Sequence, residues 1–260
     1  MSRISNRRLT RFAATLASCA YLTLLGSAPI AAQESCPCPP PAPPPPLWTG
    51  SAGLAYLATS GNTDTESLGF TASFARQPTP WGLEVTASAN RSESNGATTA
   101  ERYFGGVRGK RALDDRFELF GGLSYARDEF AGFDSRVIVE AGAIWKALGG
   151  PVHELALDAG LTWTDEEPVV GQGDAYVGAI AGAAYAWKIN DAATFRERLV
   201  FFPNFETSED WRVRSETSFE AAFAPSWALR LSYLYTRDNL PVPGFEKSDG
   251  TTAVSVVWKR

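Results

Sequence analysis

Apolar and polar residues alternate along most of the chain from Trp48 onward. Between positions 81 and 90, the odd positions hold Trp, Leu, Val and Ala, whereas the even positions hold Gly, Glu, Thr, Ser and Asn. A period of two is typical of a β-strand with one apolar and one polar face. The same pattern recurs in about twelve segments that end at Trp258. It therefore predicts an all-β domain of antiparallel strands.

The connections between these segments alternate in length. Short connections such as 113–116 and 190–193 take turns with longer ones such as 92–99 and 164–174. Tryptophans gather at the short-connection ends, namely Trp48, Trp81, Trp145, Trp187, Trp227 and Trp258. Short periplasmic turns, long extracellular loops and aromatic girdles are typical of outer-membrane barrels. Residues 48–260 are therefore predicted to form a transmembrane antiparallel up-and-down β-barrel of about 12 strands. A soluble periplasmic β-protein, whose strands would also alternate, is the alternative.

The first 32 residues differ from the rest of the chain. Four arginines and no acidic residue lie in the first twelve positions, and an apolar run follows that ends at Ala32. This pattern predicts a cleaved secretory signal peptide over residues 1–32, with an uncleaved membrane anchor as the alternative. Residues 33–47 hold Cys36, Cys38 and a run of prolines that can join neither a sheet nor a helix. We expect them to form a periplasmic stem of a protein in the outer membrane of a Gram-negative bacterium.

The net charge and the scarcity of histidine and cysteine limit which classes of function the sequence allows. The chain has 24 Lys and Arg against 29 Asp and Glu, and its net charge is −5. This acidic balance excludes nucleic acid as an expected partner. His153 is the single histidine, and neither a Gly-rich phosphate loop nor a spaced Cys/His cluster occurs. The sequence therefore predicts no enzyme, no cofactor and no metal site.

Acidic residues in two of the predicted loops leave one alternative open. The groups are Asp165, Glu166 and Glu167 in one loop and Asp128, Glu129 and Asp134 in another. Carboxylates can bind Ca²⁺ or bridge divalent ions to lipopolysaccharide, but the ligand spacing of an EF-hand is missing. Solvated loop charge is the favoured interpretation.

The polar face of the predicted strands carries charges of both signs. The candidates to line the lumen are Glu84, Arg102, Arg108, Lys110, Glu118, Glu140, Asp158, Arg214, Glu216 and Arg230, with Arg198 and Glu220 on the same face. Such charges can line a channel for small solutes, or they can pair across strands and close it. Because bulky apolar residues such as Phe104 and Phe120 share this face, we predict a narrow or occluded lumen.

Two similar stretches lie about a hundred residues apart on strands that are predicted to stand opposite each other. They are LSYARDEFAGFDS from Leu123 and LSYLYTRDNLPVPGFEKSD from Leu231. Parity predicts that Asp128 and Asp238 face the pore mouth and that Arg127 and Arg237 face the lipid headgroups. The Gly-Phe turns that follow are expected to fold over the opening from both sides.

Several longer motifs resemble the DUF481 family, which includes proteins described as salt-induced outer membrane proteins. The motifs are SGNTDTESLGF, ERYFGG, LDDRFELFGGLSYARDEFAGFDSR and YTRDNLPVPGFEKSDGTTAVSVVW. The resemblance covers nearly everything from Trp48 to Trp258. It implies an outer-membrane β-barrel whose biochemical function is not established, and it assigns no catalytic residues.

The resemblance also carries expectations about function. It implies a role in envelope integrity or in the salt and osmotic stress response, and a narrow channel for small charged solutes is the alternative. The expected partners are outer-membrane lipid and lipopolysaccharide, the outer-membrane insertion machinery and, for a channel, a small solute. One departure concerns the C-terminus, where Lys259 and Arg260 follow the aromatic Trp258 on which such barrels usually end.

Overall fold

The computed structural model of the chain describes residues 47–59 and 65–259. These residues form twelve strands and one short 3-10 helix, Glu129–Ala131. The strands are β1 (Trp48–Thr59), β2 (Thr65–Arg76), β3 (Trp81–Ser94), β4 (Ala97–Ala112), β5 (Phe117–Asp128), β6 (Phe133–Gly149), β7 (His153–Pro168), β8 (Asp174–Lys188), β9 (Ala193–Pro203), β10 (Trp211–Ala224), β11 (Trp227–Asp238) and β12 (Ser248–Lys259). The predicted signal peptide and all but the last residue of the predicted stem lie outside the described residues.

Every strand pairs with its sequence neighbours, and β1 pairs with β12, so the sheet closes into a barrel. All pairs are antiparallel. The predicted antiparallel up-and-down barrel is therefore confirmed. The closing seam is short, because β1 and β12 share four residue pairs, from Ser51↔Lys259 to Leu54↔Val256. Within the described residues, no helix has the length and apolar character needed to cross a membrane.

The outer face of the barrel is apolar. Leu54 is 62% exposed, Trp81 59% and Phe223 65%, and large apolar side chains on the same face of the other strands are exposed to similar degrees. The predicted ring of tryptophans is exposed at the end where the short connections lie, here called the short-turn end. An exposed apolar band of this extent is typical of outer-membrane-type barrels.

The strands reach further at the opposite, long-loop end than the sequence pattern predicts. The predicted loop 92–99 is almost entirely strand, because β3 and β4 meet at the two-residue turn Asn95-Gly96. Both turn residues have positive φ, +50° and +78°, which is the conformation of a type I′ hairpin turn. Asn-Gly is the sequence typical of this turn, so the extended hairpin follows from local chemistry.

Candidate functional site: the barrel interior

The interior has two walls of different composition. Small uncharged residues point inward from β12, β1, β2 and the upper part of β3, and together they are called the small-residue wall. Its members include Ser51, Gly53, Ala55, Gly69, Thr71, Ser73, Ser88, Asn90, Thr251, Ala253 and Ser255. Strands β4 to β11 carry most of the inward charged residues and most of the buried apolar ones, and they are called the ionic wall.

A row of ion pairs crosses the middle of the ionic wall. Arg108 on β4 donates from Nε to Oε1 of Glu140 at 2.7 Å, and its Nη1 lies 4.0 Å from Oδ2 of Asp158. Gly122 of β5 lies in register between Arg108 and Glu140. A Cβ at Gly122 would stand 2.8 Å from the Glu140 Oε1, so this glycine leaves the room in which the pair forms.

A similar arrangement occurs between β7 and β9, although the glycine here is in register with Asp158 and Val200 and not with Arg198. Arg198 donates from Nη1 and Nη2 to the two carboxylate oxygens of Asp158, at 2.5 and 2.9 Å. Gly182 of β8 lies between them, and its Cβ would stand 2.7 Å from Oδ1 of Asp158 and 2.9 Å from Nη1 of Arg198. A charge-assisted bidentate pair of this kind is stronger than a neutral hydrogen bond. The two glycines thus let carboxylates and guanidinium groups meet across an intervening strand.

An apolar layer supports this row. Phe120, Ile144, Ile180 and Val200 form a buried cluster, and the guanidinium carbon of Arg108 lies 4.5 Å from the Phe120 ring centre. At the edge of the row, Lys110 donates to Glu84 at 2.6 Å. The middle of the ionic wall is therefore occupied by charged side chains that pair with one another.

A second cluster lies nearer the long-loop end. Arg136 donates to both oxygens of Glu166, at 2.5 and 2.9 Å, and Arg212 donates to the same carboxylate at 2.9 Å. Asp238 lies 3.7 Å from Arg136. The sequence reasoning assigned Glu166 to a loop and did not single out Arg136 or Arg212. In the structure β6 and β7 extend past the predicted strand ends, and the same parity continues to point these residues inward.

The two predicted pore-mouth aspartates line one space of about 400 Å³. Asp128 is 4% exposed, pairs with Arg102 and accepts a hydrogen bond from the Ala131 amide at 3.0 Å. Asp238 accepts from the Leu240 amide at 3.0 Å and faces Arg136. Each aspartate thus faces a guanidinium group, which offsets its charge.

The loops that follow these aspartates touch each other. Gly132 has φ +96° and Gly244 has φ +99°, values that favour glycine. A Cβ at Gly132 would stand 3.2 Å from Cγ of Phe245. The two Gly-Phe segments, which come from opposite strands, therefore meet.

A third cluster lies at the short-turn end. Glu220 is 2% exposed and accepts from Arg230 at 2.8 and 3.1 Å. Lys259 donates to the same carboxylate, and Arg196 lies 3.7 Å away. The penultimate residue of the chain thus turns inward to a buried acid. Glu118 pairs with Lys146 at the same end.

The two predicted headgroup-facing arginines have partners on the chain. Arg127 pairs with Glu129 and lies 3.0 Å from Asp134. The guanidinium carbon of Arg237 lies 5.5 Å from the Trp211 ring centre. These contacts place both near the long-loop ends of their strands.

His153 has no catalytic neighbours among the described contacts. Its Nδ1 lies 2.9 Å from the Tyr185 hydroxyl, and its ring lies 6.0 Å from that of Trp187. Within residues 47–59 and 65–259, no group of three His, Cys, Asp or Glu side chains could hold a metal ion.

A larger space of about 630 Å³ follows the small-residue wall. It shares Arg214, Glu216, Phe104 and Leu234 with the smaller space. Arg214 and Glu216 lie 3.1 Å apart, and the guanidinium carbon of Arg214 lies 5.7 Å from the Phe104 ring centre. These side chains stand where the two spaces adjoin.

Known proteins resemble this chain in sequence and in fold. The uncharacterized protein YdiY of Escherichia coli (strain K12) is 29% identical over 210 residues, which are 80% of this chain and 81% of YdiY. The NanC porin superposes on 82% of this chain and 99% of its own, with a TM-score of 0.50 and 13% identity. An outer membrane channel from Pseudomonas putida F1 covers 82% of this chain and 95% of its own, with a TM-score of 0.49 and 13% identity. The likeness to NanC shows the fold alone, that of an outer-membrane-type barrel.

The family assignment rests on the sequence of the barrel itself. The family described as "Protein of unknown function, DUF481" matches residues 52–259, which cover the described strands almost completely. The resemblance noted in the motifs is confirmed, and the chain belongs to the DUF481 family.

Proposed function

We propose that this protein is an outer-membrane channel with a narrow passage for small polar solutes and ions. The observation that carries the proposal is the space of about 630 Å³ along the small-residue wall. Its lining extends from Ser51 and Ser255 near the short-turn end to Asn90 and Thr99 near the long-loop end. On the other side, the ion pairs of the ionic wall narrow the interior to the smaller space of about 400 Å³. The porin fold of NanC supports a transport role.

Location and partners belong to the same proposal. Residues 1–32 would direct export, and residues 33–47 would lie in the periplasm before the barrel. The exposed apolar outer face supports contact with outer-membrane lipid and lipopolysaccharide. The insertion machinery is a further expected partner, and Trp258 on the outer face of β12 is an exposed aromatic group that it would contact.

A transport role is favoured over catalysis by the surroundings of His153. Its imidazole contacts a tyrosine hydroxyl at the short-turn end, and no described contact joins it to the carboxylate that orients the imidazole in a catalytic triad. General base catalysis requires a base within hydrogen-bond reach of the proton that it removes.

Planar bilayer recordings of the purified full-length protein test the channel. We expect discrete conductance steps from protein that migrates as a heat-modifiable barrel. Ser88→Trp places a bulky ring into the space, and Val85→Trp places the same ring on the outer face of the same strand, beside Phe74 and Val107. Conductance should fall strongly in Ser88→Trp and stay unchanged in Val85→Trp. Folded protein without conductance steps would contradict the proposal.

A role in envelope integrity under salt stress is the second candidate, and the buried ion pairs favour it. Glu220 joins β10 to cationic residues of β9, β11 and β12, which braces the wall next to the closing seam. A strain that lacks the protein should then be salt-sensitive. Rescue by the blocked variant Ser88→Trp would support a structural role, whereas rescue by wild type alone would support a role through the channel.

A further inference from the structure

Arg214 and Glu216 occupy a special position in the interior. They lie on β10, and β4 stands on the opposite side of the twelve-strand ring. Arg214 nevertheless lies 5.7 Å from the ring centre of Phe104 on β4. The contact between Arg214 and Phe104 therefore crosses the full width of the interior, where the two spaces adjoin.

This pair is also the most accessible ion pair of the inner face. The side chains of Arg214 and Glu216 are 39% and 44% exposed. Those of Arg108 and Glu140 are 21% and 14% exposed. A single contact of 3.1 Å joins Arg214 to Glu216, so both charged groups remain open to a passing ion or solute.

The charges around the larger space balance. Its lining includes three cationic residues, Arg102, Arg214 and Arg230, and three acidic ones, Asp128, Glu216 and Asp249. Most of the remaining lining is hydroxyl, amide or small apolar groups of the small-residue wall. Selectivity in a pore follows the sign of the charges that line it, and a balanced lining favours neither sign.

We propose that Arg214 and Glu216, held against Phe104, form the constriction of the passage and determine its ion selectivity. The balanced pair lets small cations and small anions pass about equally. The hydroxyl groups opposite the pair suit small uncharged solutes that carry hydroxyl groups. This assignment rests on the proposed channel and names the residues that select its solutes.

The reversal potential of wild-type channels in a KCl gradient gives the ratio of K⁺ to Cl⁻ permeability, which is expected to be near unity. Glu216→Gln leaves Arg214 unbalanced and should shift the ratio toward Cl⁻ by about threefold. Arg214→Gln should shift it toward K⁺ by a similar factor. The charge exchange Arg214→Glu with Glu216→Arg restores the balance and should return the ratio to the wild-type value.

A matched control pair lies on the outer side of the barrel. Arg91 and Glu93 are also two residues apart on one strand and lie 2.6 Å apart, but they line neither space. Arg91→Gln and Glu93→Gln should leave the permeability ratio unchanged.

The outcomes separate this inference from the channel itself. Opposite shifts for the interior variants, with no shift for the control pair, support the assignment. Wild-type ratios in both interior variants, or shifts of the same sign, overturn it while the channel stands. A wild-type barrel without conductance overturns the channel and this assignment together. Heat-modifiable migration of each variant verifies that the recorded protein is folded.

Discussion

The small-residue wall and the ionic wall belong to one barrel but differ in the size, charge and packing of their inward side chains. The ionic wall, β4 to β11, narrows its half of the interior to a space of about 400 Å³, because its charges pair with one another across intervening glycines. The small-residue wall, β12 to β3, presents hydroxyl groups, alanines and glycines that reach only a short way inward. The difference suggests a division of tasks, in which one wall stabilises the closed sheet and the other leaves the passage. Substitutions on the two walls should therefore have opposite consequences for stability and conductance.

The largest effect on stability is expected from Glu220→Gln in the ionic wall. Glu220 is 2% exposed, and the loss of its charge leaves Arg230, Lys259 and Arg196 facing one another without a counter-ion. Breaking a buried ion pair by removing one partner costs about 3 kcal/mol or more. Urea unfolding of the barrel in detergent or lipid should show this loss. Glu216→Gln, in a half-exposed pair, should cost less than about 1 kcal/mol, and equal losses for the two variants would contradict the account.

Gly182→Ala should have the next largest effect. Its methyl group would meet both partners of the Asp158–Arg198 pair within 3 Å, so the pair must separate or the strand must move. Because the methyl group meets the ends of side chains and no backbone atom, we expect a cost of about 1 kcal/mol, at the low end for overpacking. Gly105→Ala is the control, because a Cβ at Gly105 meets no atom within 4 Å. If both substitutions leave the free energy of unfolding unchanged, the glycine does not serve to admit the pair.

Ser88→Trp in the small-residue wall is expected to cost little stability, within about 0.5 kcal/mol. The ring enters a space rather than a packed region, although it blocks the passage. The same unfolding experiment, carried out beside the conductance recordings, checks this combination. A stability loss as large as that of Gly182→Ala would mean that this wall is packed as tightly as the other.

The smallest effect is expected at the contact between the two loops. Phe245→Ala removes the ring that lies against Gly132, and we expect the loop 239–247 to become more sensitive to protease while the stability of the barrel changes by less than about 0.5 kcal/mol. Leu240→Ala, at a residue that is 52% exposed, is the control in the same loop. Equal protease sensitivity of the two variants would argue against a specific contact.

The sequence predicts the faces of the strands well and the partners within a face poorly. Alternation predicts that the side chains of Arg108, Glu140 and Asp158 face the lumen, because a one-residue shift would turn the apolar residues of the outer face toward the lumen. Alternation does not predict that Arg108 reaches past β5 to Glu140. That contact depends on the register of the strands and on Gly122, which has no side chain to block it. A glycine in register between opposite charges is the signal that could have found the pair.

The strand ends were the other source of error. Asp165, Glu166 and Glu167 form a polar run in the sequence. Such a run is as typical of a loop as it is of the polar end of a long strand. The structure continues β7 to Pro168 and brings Glu166 to Arg136 and Arg212. The contact of Lys259 with Glu220 is also beyond what alternation predicts, because the two residues lie two strands and 39 positions apart.

Thiol labelling of the two walls tests most directly the claim that the passage follows the small-residue wall. Ser88→Cys faces the larger space, and Thr162→Cys replaces an inward residue of the ionic wall that is 5% exposed. Both variants are made with Cys36 and Cys38 replaced by serine, and a charged, membrane-impermeant thiol reagent is added during single-channel recording. The account predicts a stepwise fall of the current for Ser88→Cys and no change for Thr162→Cys. Current loss at Thr162→Cys with none at Ser88→Cys would contradict it.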